Sequence, residues 1–273
     1  MKLSLDNRNI FLQSLKNLEV SIGRTIVFAY LQGSQNYDLE TPSSDMDGKA
    51  FCLPSLDDLY DGSFLSKTFD YPQGQITIHD VRMLPELLEK MNPTYLESFF
   101  SYERFFFDGA MEDLLSPATF RSLFEARKPI LLRSLLGTFR TKLGEMHRPS
   151  AIRVPVIEQY GYDIKSASHA LRLAHLFFFI TNDPYGDPFT VYKNGLRLSG
   201  KAKDVILGVK LGQFKEIDIL PWLERAESFL SSQVDLFAKE KVTSSGLSEK
   251  LKKVALEMIG NDFRIRLGRN SNE

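Results

Sequence analysis

The 273-residue chain contains one cysteine, Cys52. A single thiol excludes an internal disulfide and the cysteine-rich zinc motifs, and it fits a reducing, cytoplasmic setting. Long apolar runs are missing too. The longest, Leu176-Phe177-Phe178-Phe179-Ile180, falls far short of the ~18 residues that read as a membrane span. The opening MKLSLDNRN has no apolar leader core, so neither membrane insertion nor export is expected. Net charge is only −1 at pH 7, which argues against a protein that coats nucleic acid through bulk charge. There is no internal repeat and no low-complexity tract. What remains, 43% hydrophobic and 25% charged residues, is the composition of a globular protein with one large domain or two modest ones.

The charge is unevenly spread. Residues 38–70 hold eight acids against two bases, and residues 121–153 hold eight bases against two acids. An acidic wall facing a basic wall could take a cation on one side and a polyanion on the other. Two solvated faces are the plainer alternative.

Strand signals crowd the first part of the chain. Residues 9–23 carry Ile10, Phe11, Leu15, Leu18 and Val20 at roughly helical spacing, with Asp6 or Asn7 able to cap the start. RTIVFAYLQG, β-branched and aromatic up to Gly33, reads as a buried strand. DGKAFCLP (47–54) reads as a second, stopped by Pro54, and ITIHDVRML (76–84) as a third. Pro85 and Pro93 each open a short helix, and Phe105-Phe106-Phe107 marks one more strand. From about residue 110 the strand signal fades, and 111–127, 130–147, 163–180, 202–213, 219–239 and 247–260 read as helices. The pattern predicts an α+β fold: residues 1–110 as a domain with a mixed β-sheet flanked by helices, then residues 111–273 as an α-helical bundle.

Within the acidic stretch, GSQNYDLETPSSDMDG (33–48) puts Asp45 and Asp47 one residue apart at the start of the second strand. Residues i and i+2 of a strand share a face, so the two carboxylates repel each other unless a divalent cation bridges them. Carboxylate sites of this kind suit Mg²⁺ or Mn²⁺, which leave positions open for substrate phosphates. Asp80, an isolated acid of inward parity on a strand that otherwise reads apolar, is the candidate third ligand, and Asp45, Asp47 and Asp80 together would hold two ions. Gly33 lets the backbone approach a ligand, and the Ser34 hydroxyl with nearby N–H groups can hold phosphate oxygens. Each signal is weak alone, since most D-x-D pairs are surface acids. The series of strand, Gly-Ser turn, D-x-D and a later isolated Asp is sharper.

This series resembles the nucleotidyltransferases of the DNA polymerase beta superfamily, whose hallmark is a Gly-Ser turn, a D-x-D pair and a third acid. The local form G-S-x-x-Y-x-L-x-T-x-x-S-D-x-D is similar to that of a group of predicted nucleotidyltransferases of bacteria and phages, some associated with RNA ligases and proposed for RNA repair. Three further stretches extend the resemblance over most of the chain: HDVRMLPELLEKMNPTYLESFFS (79–101), YGYDIKSASHALRL (160–173) and ILGVKLGQF (206–214). Departures are Met83 where a Lys is usual, Ser166 where a His is common, and Gln213 where a Glu is usual.

On a helix, Tyr162, Lys165, His169 and Arg172 fall within one ~80° sector. A Lys, a His and an Arg on one stripe can meet a triphosphate. A solvated stripe, or for His169 a satisfied interior histidine, is the alternative, and it is the resemblance that favours phosphate or base contact. Tyr37 could pack under the nucleotide or seal the turn, and Ser44 could accept a metal-bound water or shape the turn. Glu97 reads as structural, His79 as facing away from Asp80, and Cys52 as a small buried apolar group. Arg140, Lys142, His147 and Arg148 could line an acceptor side or a solvated face.

The resemblance implies a magnesium-dependent transferase that binds an NTP such as ATP through Gly33, Ser34, Tyr37, Ser44, Tyr162, Lys165, His169 and Arg172. It would transfer the nucleoside monophosphate to an acceptor hydroxyl and release pyrophosphate. An RNA 3′ end suits the basic 121–153 region as acceptor; a protein side chain or a small molecule fits almost as well. The rival is a non-catalytic nucleotide- or RNA-binding adaptor, disfavoured as long as all three acids converge.

Overall fold

The computed structural model describes residues 4–41 and 44–270, with side chains described up to residue 265. Pro42 and Ser43, inside the stretch between the Gly-Ser pair and D-x-D, lie outside the described residues. Helix α1 (Leu5–Ile22) is capped by Ser4, whose hydroxyl accepts from the Asn7 N–H, and ends at Gly23 in the left-handed conformation, φ 63°. Then follow β1 (Ile26–Leu31), β2 (Gly48–Cys52), α2 (Leu56–Tyr60), β3 (Ser66–Tyr71), β4 (Gly74–Asp80), α3 (Leu84–Glu89), α4 (Pro93–Leu96) and β5 (Arg104–Phe106). The strands form one five-stranded sheet in the order β3-β4-β2-β1-β5. Only β2 and β4 pair in parallel, so the sheet is mixed. The rest of the chain is helical: α5 (Gly109–Leu114), α6 (Pro117–Glu145), α7 (Val154–Tyr160), α8 (Ile164–Asn182), α9 (Pro188–Leu196), α10 (Gly200–Lys210), α11 (Glu216–Phe237) and α12 (Leu247–Asn270). The α+β class holds. Among the described residues no helix is long and apolar enough to cross a membrane.

The two faces of the sheet bury against different layers. Ala29, Leu31, Ala50, Cys52, Ile76 and Ile78 pack under Phe11 and Leu15 of α1. The approach is close because Gly48 has no side chain: a Cβ there would stand 2.5 Å from the Phe11 ring. Phe28, Tyr30 and Phe51 point the other way and join a second cluster that runs through Leu88 and Leu96 into Phe139, Leu173, Phe177 and Leu223 of the helices. β1 and β2 are therefore buried on both faces.

Several elements differ from the sequence reading. β3 has no counterpart among the strands predicted above: SKTFDY is mostly polar, and it is an exposed edge strand that pairs as a hairpin with β4 and buries little beyond Phe69 and Tyr71. The helices expected over 111–127 and 130–147 are largely one helix, α6, which passes through Pro129. A proline removes one backbone hydrogen bond, and buried Phe124, Ala126, Leu131 and Leu132 on either side hold the helix together. The short helices α2, α7 and α9 have too few turns for a periodic signal.

Candidate active site

Asp45 and Asp47 lie in the extended segment that feeds β2. The Gln32 N–H donates to the Asp47 carbonyl at 2.9 Å and the Met46 N–H to the Gln73 carbonyl at 2.8 Å, so the segment is held between the end of β1 and the β3–β4 turn. Met46 is buried, while Asp47 shares the opposite face with Lys49 and Phe51, toward the helices. The Asp47 carboxylate accepts from the Gln75 backbone N–H at 3.2 Å. Asp45 is exposed, and its carbonyl accepts from Gln35 Nε2 at 2.8 Å. Burial lifts the Asp47 carboxyl above its ordinary value and the Asp45 charge adds to the rise, whereas the Gln75 N–H and the charges of Lys165 and Lys49 pull it down.

Asp80 does not join them, and the assignment of a third metal acid to it is corrected. In the parallel β2–β4 register Gly48 stands opposite Ile76 and Cys52 opposite Asp80. Asp47 is thus level with Gln75, and Asp80 lies five residues further along, ~16 Å away at ~3.3 Å per residue. It also shares the face of Cys52 and Ile78, under α1, whereas Asp47 faces the helices. Asp80 is 0% exposed. Its carboxylate accepts from Arg82 Nη2 at 2.6 Å, from Arg82 Nε at 2.9 Å and from the Arg82 backbone N–H at 2.8 Å. It is one half of a buried ion pair that ends the strand. Among the described residues no cluster of three or more His, Cys, Asp or Glu side chains is placed to hold a metal ion. Asp45 and Asp47 are neighbouring carboxylates of the chemistry that suits an oxygen-liganded divalent ion, and among the described residues no third acid is grouped with them.

The Gly-Ser turn is built as expected. Gly33 adopts φ 93°, ψ −151°, and Ser34–Tyr37 form one 3₁₀ turn. A single buried carboxylate, that of Glu97, ties the turn together. It accepts from Asn36 Nδ2 at 3.1 Å, from the Tyr37 hydroxyl, and at the long distance of 3.5 Å from the Gly33 N–H. Burial raises the Glu97 carboxyl above its ordinary value, and the Arg172 charge, with these hydrogen bonds, opposes the rise. Ser44 sits in its own turn, its Oγ accepting from the Thr41 N–H at 2.9 Å.

Lys165, His169 and Arg172 occupy α8, which opens at Asp163, whose Oδ1 accepts from the Lys165 N–H at 3.1 Å. Tyr162 is not part of the stripe. It precedes the helix, is fully buried, and donates its hydroxyl to the Phe214 carbonyl at 3.0 Å, so its assignment to the nucleotide is corrected to the core. Arg172, 5% exposed, lies over Tyr37 with its guanidinium carbon 3.5 Å from the ring centroid. Its Nη2 donates to His169 Nε2 at 2.6 Å. An arginine can only donate, so Nε2 is an acceptor and the imidazole proton is on Nδ1. Burial first, and then the charges of Arg172, Lys142 and Lys165, push His169 well below its ordinary value; the ring is neutral at pH 7. Lys165 is exposed at the mouth and is felt by both Asp47 and Lys210.

Two cations were missed by the sequence reading. Lys210, at the end of α10, donates to the Leu39 carbonyl at 2.7 Å and to Ser44 Oγ at 3.3 Å, holding the acidic segment from the helical side. Its signal was present in ILGVKLGQF. Lys49, two residues after Asp47 on the same strand face, is 7% exposed and places its ammonium 4.9 Å from the Tyr95 ring centroid. Burial draws that ammonium below its ordinary value, against the charges of Glu97 and Asp47. Its signal was the i+2 spacing itself.

The basic stretch 121–153 does not present a free polyanion wall. Five of its eight bases are in ion pairs: Arg121 with Asp187, Arg127 with Glu89, Arg140 with Glu227, Lys142 with Glu145, and Arg153 with Glu145 and Asp163. A sixth, Lys128, lies over the Phe237 ring. His147, expected with them, pairs with Glu216 at 2.9 Å.

No protein-family model matches the chain, and no curated protein matches its sequence.

Proposed function

We propose that the protein is a metal-dependent nucleotidyltransferase of the DNA polymerase beta type, which moves a nucleoside monophosphate from an NTP to an acceptor hydroxyl. The observation that carries this reading is the packing of the Asp45–Asp47 segment against the Gly-Ser turn and the helices: Gln35 Nε2 donates to the Asp45 carbonyl, Lys210 donates to Leu39 and Ser44, and Arg172 braces the turn on Tyr37. Asp45 and Asp47 would hold a Mg²⁺ or Mn²⁺ ion, which when bound neutralises triphosphate charge and stabilises the leaving oxygen. The Ser34 hydroxyl and the N–H groups of its turn receive phosphate oxygens. Lys165 draws the outer phosphates as a point charge. Arg172 is committed to Tyr37 and His169, so it fixes the turn from behind. The acceptor oxygen then bonds to the α-phosphorus as the bridging bond to the β-phosphate breaks. Its proton leaves to solvent on the open Asp45 side, and alignment supplies most of the rate.

A second reading, a nucleotide-binding protein that has lost transfer activity, is favoured by the displacement of Asp80 from the acid pair. Incubation of the chain with each labelled NTP and Mg²⁺, against total RNA, protein lysate and metabolites, separates the two and finds the acceptor class. Pyrophosphate release that vanishes in Asp47→Ala supports transfer. NTP binding without release in any acceptor pool supports the binder.

A further inference from the structure

The third carboxylate that a second ion would need is missing, and the place abreast of the acid pair is taken by other groups. Level with Asp47 on β4 is Gln75, and the residue paired with Lys49 is Thr77, both neutral. Lys49 stands between them and β1, where its partner is Tyr30. Its side chain rises on the same face as Asp47, over Tyr95, and Asp47 and Glu97 are the two opposite charges it senses. Among the described residues its ammonium forms neither an ion pair nor a hydrogen bond. An ammonium with three donors and no acceptor from the protein is placed to meet the oxygens of a bound anion.

From this we infer that the Lys49 ammonium stands in for the second divalent ion, so that the site binds one ion and Lys49 contacts the reacting phosphate directly. The inference rests on the transferase reading. A fixed positive charge beside the α-phosphate neutralises the charge that builds as the acceptor oxygen bonds to phosphorus and the bond to pyrophosphate breaks. The acceptor's proton goes to solvent, and the electron pair of the broken bond leaves with pyrophosphate. Glu97 is a positioning residue for the Gly-Ser turn, which it holds through Asn36, Tyr37 and the Gly33 N–H.

The test is a Mn²⁺ titration of the full chain with a non-hydrolysable ATP analogue, read by electron paramagnetic resonance. One tightly bound Mn²⁺ per chain is expected, and two would overturn the inference with no variant needed. Lys49→Glu places a third carboxylate on the Asp47 face and is expected to raise the count to two; a folded Lys49→Glu that still binds one overturns it. Lys49→Met is expected to keep the single ion while pyrophosphate release falls about 100-fold, the scale of one lost transition-state donor. Retention of release within threefold overturns the inference. Failure of the transferase reading has its own signature: one Mn²⁺ with the analogue bound but no pyrophosphate from wild type with any NTP, which overturns the catalytic role of Lys49 as well.

Discussion

The guanidinium carbon of Arg172 lies 3.5 Å from the centroid of the Tyr37 ring, and the hydroxyl of that ring donates to Glu97. Through these two residues α8 grips the turn that carries Gly33 and Ser34. Arg172→Lys keeps the charge but loses the planar stack and the bond to His169. We expect NTP-analogue affinity to fall about tenfold, roughly 1.4 kcal/mol, measured by calorimetry. Unchanged affinity would remove Arg172 from the account of the turn.

Asp80 and Asp47 have opposite expected phenotypes. Asp80→Asn removes the fully buried partner of Arg82 and should cost on the order of 3 kcal/mol of stability while leaving Mn²⁺ binding intact. Asp47→Asn should abolish Mn²⁺ binding and shift the melting temperature by no more than about 3 °C, since it relieves repulsion from Asp45. Thermal melts and Mn²⁺ titrations on both variants decide the matter. Loss of metal binding in Asp80→Asn would restore it as a ligand.

His79 sets a pH dependence of folding. Its ring lies between Ser66 Oγ and the Tyr95 hydroxyl, and burial, then the nearby Lys49 charge, lowers it to about 4. The unfolded imidazole titrates near ~6.5. Between those values the unfolded chain takes up a proton that the folded chain refuses. The contribution to stability is therefore full above ~6.5 and is lost as pH falls toward 4. From about pH 7.5 to 4.5 the melting temperature of wild type should drop roughly 5 °C more than that of His79→Gln. His169 and His175 are pushed in the same direction and keep part of the slope in the variant. Parallel curves would show that His79 is protonated in the folded state.

Cys52 is buried in the sheet, and burial, helped by the Asp80 charge, pushes its thiol up to about 12. In the folded protein it should resist iodoacetamide at about pH 8 and react only after denaturation. Mass spectrometry of the native, alkylated chain checks this. Rapid native labelling would mean that β2 and β4 separate readily.

The parts of the candidate site whose geometry was legible have local signals. The Gly-Ser turn, the i+2 acids and the Lys165–His169–Arg172 stripe depend on a few consecutive turns or strand residues. Asp80 was misread because parity says which side chains of one strand share a face but not which face of a neighbouring strand they match. The inward parity of Asp80 was correct, yet inward on β4 means the α1 layer. β4 alternates Ile76 and Ile78 with Thr77 and His79, but alternation does not say which layer each side meets, and the parallel register with β2 adds a five-residue offset that no local pattern encodes. Tyr162 failed for a related reason: the helix starts two residues later, after the cap at Asp163. The basic stretch misled because its partners Asp187, Glu227 and Glu216 come from helices far along the chain.

Arg197 donates to the Asn36 carbonyl at 2.6 Å, the Leu198 N–H donates to the Tyr37 carbonyl at 3.2 Å, and Lys210 donates to Leu39. Residues near position 200 thus secure a segment near position 36. On the ribosome, the acids emerge long before the lysines and arginine that face them. A nascent or prematurely terminated chain would carry the carboxylates without their counter-wall, so competence for the proposed chemistry arrives only once the chain has been made as far as Lys210.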